Sequence, residues 1–192
     1  MSEIEQVTLS MDGLEVNSYV VRAPEGDIVV DAGAEPERIL AAAQGPVSAV
    51  LVTHGHADHV NALDVVLKET QAPLYLHPDD AGRTGIRVYE PLDDGKELEI
   101  AGERLLVLHT PGHSPGSVTF VVGSDQIVGD LILPGSVGRT DIPGSSWEQI
   151  EVSIRKVMQY WEKETCLYVG HGPVLSAMEE LRTNPYLPPV IP

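Results

Sequence analysis

Apolar residues along this chain come in short runs with two different periods. "NSYVVRA" (17–23) and "DIVVDAG" (27–33) read as strands, and the "PEG" between them as the turn of a hairpin. "PERILAAAQ" (36–44) follows with helix formers, Pro36 in its first turn and a stop at Gly45-Pro46. "VSAVLV" (47–52) is a strand, and in "VNALDVVLKETQ" (60–71) Val60, Leu63, Val66 and Leu67 share one helical face. "APLYLH" (72–77) reads as another strand, "KELEIAGERLLVLHT" (96–110) as two strands joined at Gly102, and "SVTFVV" and "DQIVGDLIL" continue the β-rich pattern. Beyond the glycine-rich "PGSVGRTDIPG" (134–144), Trp147, Ile150, Ile154, Val157, Met158 and Trp161 form one stripe of a long helix, with Ser145 and Glu148 as its capping box. "CLYVG" (166–170) is a last strand, "SAMEELR" (176–182) a short helix and "NPYLPPVIP" a proline-rich end. No linker, low-complexity tract or internal repeat interrupts this order. It predicts one domain over 1–192, an α/β (α+β) chain with two sheets covered by helices.

Composition narrows the function. With 192 residues, 42% of them hydrophobic, the chain has material for one packed core. Its apolar runs are too short to cross a bilayer and "MSEIEQVTLS" lacks the features of a signal peptide, so a soluble cytoplasmic protein with no membrane partner is expected. A formal net charge of −17 without a basic patch argues against nucleic acid. Cys166 is the single cysteine, which precludes an internal disulfide, and in "TCLYV" it reads as a small buried apolar residue.

The chemistry is concentrated at strand ends. "THGHADHV" (53–60) places His54, His56, Asp58 and His59 behind "VSAVLV", and His113, Asp130 and His171 each stand just after another apolar run. If those strands end on one edge, the side chains converge, as a divalent ion about 2 Å from each ligand requires. Imidazole and carboxylate ligands without thiolates suit zinc first, with iron or manganese as alternatives, and argue against a closed structural zinc site. Gly112, Gly129, Gly170 and Gly172 allow tight turns beside these residues. His77 reads as a loop-capping or surface residue, and His109 as a packing group or a support behind the ligands. "PGSVGRTDIPG" lacks the lysine and spacing of a phosphate loop.

In order and spacing, "THGHADH", "TPGHSPGS", the "GD" at 129–130 and the "GHG" at 170–172 resemble the metal-binding motifs of the metallo-β-lactamase superfamily. "GSVGRTDIPG" and "GHGP" followed by "NPYL" are similar to its short glyoxalase II-like hydrolases. The resemblance implies a four-layer αβ/βα sandwich with two divalent metal ions at one edge of the sheets. It assigns His54, His56 and His113 to one ion, Asp58, His59 and His171 to the other, and Asp130 as the bridge. Asp31 matches a position just behind the ligands, although a turn or capping aspartate fits it equally well. Asp58 would also orient a hydroxide shared by the ions, which attacks an ester or thioester. The implied substrate is a small acyl-thiol such as S-lactoylglutathione. The chain ends before the helical region that binds glutathione in two-domain relatives; Asn61 and Ser117 stand where relatives have glycine and histidine. Arg139 either binds an acidic substrate or holds Asp141 and its loop. Rival readings are a mononuclear iron persulfide dioxygenase built on His56, His113 and Asp130, a lactonase or other ester hydrolase, and a metal-binding protein without turnover.

Overall fold

A computed structural model describes residues 3–87 and 89–187. The end of the proline-rich tail, 188–192, lies outside them. In chain order the elements are β1 (Ile4–Met11), β2 (Leu14–Ala23), β3 (Gly26–Val30), α1 (Pro36–Ala42), β4 (Val47–Leu51), α2 (Ala57–Val60), α3 (Leu63–Thr70), β5 (Leu74–Leu76) and α4 (Pro78–Thr84). Then come β6 (Glu90–Pro91), β7 (Glu97–Ile100), β8 (Glu103–His109), β9 (Val118–Val122), β10 (Asp125–Gly129), β11 (Ile132–Leu133) and β12 (Ser136–Val137). The remainder is α5 (Trp147–Met158), β13 (Cys166–Val169), β14 (Leu175–Ser176) and α6 (Ala177–Thr183).

Two six-stranded sheets carry the fold, ordered β1-β2-β3-β4-β5-β6 and β14-β13-β10-β9-β8-β7, with β11 and β12 as a small separate ribbon. The first sheet opens with an antiparallel pair of hairpins and becomes parallel from β3 to β6. In the second only β10 and β13 pair in parallel.

Side-chain alternation builds four layers from these sheets. Along β2 to β4, Tyr19, Val21, Ile28, Val30, Ala49 and Leu51 face the second sheet and meet Leu105, Val107, Phe120 and Ile127. Their alternates Val20, Val29 and Val50 turn outward under Ile39 of α1 and Leu63 and Val66 of α3. That double burial explains why "DIVV" and "AVLV" are continuous apolar runs rather than alternating ones. On the far side, Ile150, Ile154 and Val157 of α5 cover Val121, Val128, Leu167 and Val169. Both sheets therefore have helices on their outer faces, the four-layer sandwich the resemblance implies.

Several local expectations change. The helix foreseen over 60–71 is two pieces, with Asn61 as the C-cap of α2 and Ala62 as the N-cap of α3, because Ala32 holds that junction through Ala62 N–H (2.8 Å) and His59 C=O (2.9 Å). Cys166 is partly exposed rather than buried, since β13 alternates and turns Leu167 and Val169 inward instead. Trp147 stands 41% exposed, so the buried stripe of α5 starts at Ile150. The α5 N-cap is Ser146, not Ser145: its Oγ accepts from Gln149 N–H at 3.3 Å, while Ser145 Oγ donates to Ile142 C=O at 2.6 Å. Ser146→Ala is expected to lower stability by about 1 kcal/mol in a denaturant titration, with metal content unchanged.

Candidate metal centre

β4 ends at Leu51, the chain bends at Thr53, and His56, in an extended conformation, is the N-cap of α2. His54 and His56 thus leave the junction before the helix, and Asp58 and His59 from its first turn. The facing sheet supplies the rest: His113 from the β8–β9 loop, Asp130 after β10 and His171 after β13. Gly170 N–H donates to Gly129 C=O at 2.9 Å, which sets the last two side by side. The converging strand ends accordingly belong to two facing sheets.

The structure brings all seven side chains together. Ligand atoms of His54, His56 and His113 lie within 4.8 Å of one another; so do those of His54, His59 and Asp130, and those of Asp58, His59 and His171. Asp130 joins the groups, with Oδ1 3.5 Å from His59 Nε2 and Oδ2 3.4 Å from His113 Nε2 and 3.5 Å from His171 Nε2. Backbone carbonyls aim the rings: His113 Nδ1 donates to Arg139 C=O (3.1 Å) and His171 Nδ1 to Glu15 C=O (2.5 Å), leaving each Nε2 toward the cluster.

Asp31 stands behind His59. Its Oδ2 accepts from His59 Nδ1 (2.8 Å) and Thr53 Oγ1 (2.7 Å), and its Oδ1 from Thr53 N–H (2.7 Å). These bonds hold it at φ 59°, a left-handed conformation that a short carboxylate side chain tolerates.

Charge is tightly balanced. Burial, reinforced by the neighbouring His59, drives the His54 pKa well below the ordinary value, and burial with His113 brings His56 down to about 4. Burial opposes charge on His59 too, yet Asp31 and Asp130 outweigh it and raise its pKa well above the usual range. At His171 burial is likewise overcome, by hydrogen bonds to Asp130 and Asp58, to about 10. Protons on His59 and His171, or cations in their place, balance the carboxylates.

A cation fits this arrangement. His54 Nε2, His59 Nε2 and Asp130 Oδ1 are buried with no hydrogen-bond partner among the described residues, a costly state for lone pairs in a protein interior. The donor set of imidazoles and carboxylates matches zinc, iron or manganese.

Supports that sequence reasoning missed are Thr53, Asp80 and Asn17. Buried Asp80 accepts from Gly55 N–H (2.8 Å), Ser114 Oγ (2.5 Å) and Gly116 N–H (3.0 Å), tying the His54–His56 junction to the His113 loop. Ser117 belongs to the same knot through Ser114 Oγ at 2.7 Å. Asn17 Nδ2 donates to Val169 C=O (2.9 Å) and Gly172 C=O (2.8 Å), fixing the turn that bears His171.

Two other candidates lie outside the cluster. His109 is engaged elsewhere: its Nε2 donates to Pro115 C=O (2.8 Å) and its ring stacks on His77, centroids 4.1 Å apart and 10° between planes. His77 is buried and caps α4, Nδ1 accepting from Asp79 N–H at 3.3 Å. His77, His109 and Asp79 also lie close enough to suggest a metal group, but stacked rings send their in-plane lone pairs in parallel and do not converge on one ion. Arg139 pairs in a fork with Asp141 (2.9 and 3.1 Å), both 71% exposed.

A four-layer sandwich with a histidine-carboxylate metal centre at one edge of its sheets defines a class of metal-dependent proteins. The chain belongs to the metallo-beta-lactamase superfamily, whose family model matches residues 11–171. It is similar to the probable metallo-hydrolase YqgX of Bacillus subtilis, 34% identical over 91% of this chain and 93% of that protein. Hydroxyacylglutathione hydrolase GloC of Haemophilus influenzae is 28% identical over 83% of this chain and 86% of its own length. Among solved structures, TTHA1623 in a di-iron-bound form aligns with TM-score 0.83 and 36% identity, covering 95% of this chain and all of that one. Among the described residues no helix is long and apolar enough to cross a membrane.

Proposed function

We propose that the chain is a binuclear metallohydrolase that cleaves the thioester of a small acyl-thiol. One observation carries the reading: two trios of potential ligands, His54–His56–His113 and Asp58–His59–His171, with the two oxygens of Asp130 between them. In this reading each trio would hold one ion, zinc or iron, and Asp130 would offer an oxygen to each. The likeness to GloC supports a thioester, and the di-iron form of TTHA1623 supports two metals.

When bound, a pair of divalent cations supplies Lewis acidity toward a carbonyl oxygen and lowers the pKa of water toward ~7. The chain's own residues orient the reactants. Asp58, with Oδ2 3.3 Å from His171 Nε2, accepts a hydrogen bond from the attacking water and fixes its direction. Asp31 and Thr53 keep His59 in one tautomer, its Nε2 toward the cluster. A thiol leaving group with pKa ~8.5 departs as thiolate without a proton donor, so no separate general acid is required. An amine leaving group would require one.

The protein loaded with zinc or iron is expected to carry two metals per chain and to hydrolyse S-lactoylglutathione or a simpler acyl-thiol. One iron per chain, with oxygen uptake on glutathione persulfide and no thioester cleavage, would overturn the assignment in favour of the dioxygenase reading. Against that rival stands the second trio, which a mononuclear centre on His56, His113 and Asp130 does not use.

A further inference from the structure

Two arginines approach the centre. Arg139 does so through its carbonyl, while its guanidinium is already paired with Asp141 in solvent. Arg83, on α4, approaches with its side chain. Its Cβ packs over Gly55, the residue between His54 and His56: a Cβ built on Gly55 would lie 3.1 Å from it. From there the side chain reaches the 139–144 loop, where Nη2 donates to Pro143 C=O at 3.0 Å and would stand 2.9 Å from a Cβ on Gly144. It thus spans from the junction bearing His54 and His56 to the loop whose Arg139 carbonyl orients His113.

The guanidinium has capacity to spare. Asp80 is its ion-pair partner, but Nε to Oδ1 is 3.6 Å, beyond a hydrogen bond, and the Asp80 carboxylate accepts three shorter bonds elsewhere. Among the described residues, one of its five N–H donors meets an acceptor, at Pro143 C=O, and the side chain remains 35% exposed. On a chain of net charge −17, an anionic substrate meets general repulsion, which a cation on the helix flanking the His54–His56 junction offsets locally.

We propose that Arg83 is a specificity-determining residue, whose guanidinium receives a carboxylate carried by the acyl-thiol beside its scissile bond. The assignment rests on the thioester reading above. It separates the two arginines: Arg83 meets substrate, and Arg139 organises its loop.

The test compares three thioesters on metal-loaded full-length protein: S-succinyl-N-acetylcysteamine, with the carboxylate on the acyl side; S-butyryl-3-mercaptopropionate, with it on the thiol side; and neutral S-butyryl-N-acetylcysteamine. The wild type is expected to favour one anionic ester, which identifies the side. Arg83→Met should lower kcat/KM for that ester by about 10- to 100-fold, mainly through KM, and leave the neutral ester within about twofold. Arg83→Lys, which keeps the charge without the fork, should fall between them. Equal losses on all three esters would show a strap between α4 and the loop and overturn the assignment, as would unchanged selectivity. Failure of the metal-loaded wild type on every thioester would instead remove the thioester reading, and this assignment with it.

Discussion

Asp130→Asn is expected to strip metal from the protein and to reduce thioester turnover by about a thousandfold or more. The substitution keeps shape and removes one negative charge at the point where the two trios meet. Asp130 is 8% exposed, and its two oxygens lie 3.4–3.5 Å from the Nε2 atoms of His59, His113 and His171. An amide presents one oxygen and one NH2 group to those positions, so one of the two acceptors that Asp130 would offer a cation becomes a donor. Metal stabilisation of developing charge contributes several kcal/mol, and each 1.36 kcal/mol is tenfold in rate, hence the estimate of about three orders of magnitude. Metal analysis by atomic emission and hydrolysis of an acyl-thiol measure the two effects on the same sample. Retention of two metals and full turnover would remove Asp130 from the centre. Replacement of Asp31 tests the shell behind it: Asp31→Asn should weaken metal affinity by only about 10- to 100-fold, since it acts through the His59 tautomer.

The difference between those two residues is the difference between what the sequence displays and what only the fold reveals. His54, His56, Asp58, His59, His113, Asp130 and His171 stand next to apolar strands, and the spacing of strand against ligand makes convergence legible. That the ligand-bearing strand ends come from two facing sheets, rather than from a single sheet, is not written in any local pattern. The supports are harder still. Asp80 belongs to α4, seven residues with an internal glycine and no apolar stripe, so neither the helix nor its buried carboxylate has a periodic signature. β1 escaped the pattern because, apart from Val7 and Leu9, its residues are only partly buried or exposed. It matters nonetheless, since Gln6 Nε2 donates to Gly172 C=O at 3.0 Å and pairs with Asn17 at 2.9 Å, bracing the His171 turn. Capping depends on which of two adjacent serines the chain turns at, and Ser145 and Ser146 are indistinguishable until the 139–144 loop is placed.

Gly170→Ala is expected to leave the fold standing while emptying the metal centre. Glycines beside active sites invite a conformational explanation, and a tight turn is what the sequence suggests at this position. Its backbone, however, is not among those in the left-handed region, unlike Gly129 (φ 52°) and Gly172 (φ 98°) on either side of the cluster. The constraint is spatial. A Cβ on Gly170 would fall 1.9 Å from Asp130 Oδ1 and 2.8 Å from His59 Cε1, inside the van der Waals boundary of two of the candidate ligands. Neither can retreat: His59 is fully buried and pinned to Asp31, and Asp130 lies between three imidazoles. The methyl group therefore displaces the carboxylate or shifts the turn after β13, where Gly170 N–H is bonded to Gly129 C=O. Overpacking of this kind costs about 1–3 kcal/mol, within the stability of an ordinary domain. Far-ultraviolet circular dichroism should stay close to wild type, with a lowered melting temperature. Metal stoichiometry should drop sharply, and turnover with it. A variant that unfolds would show that the β10–β13 junction, rather than the centre, bears the strain. One that binds two metals normally would mean that Asp130 Oδ1 is free to move away from Gly170, which the bridging role assigned to it does not allow.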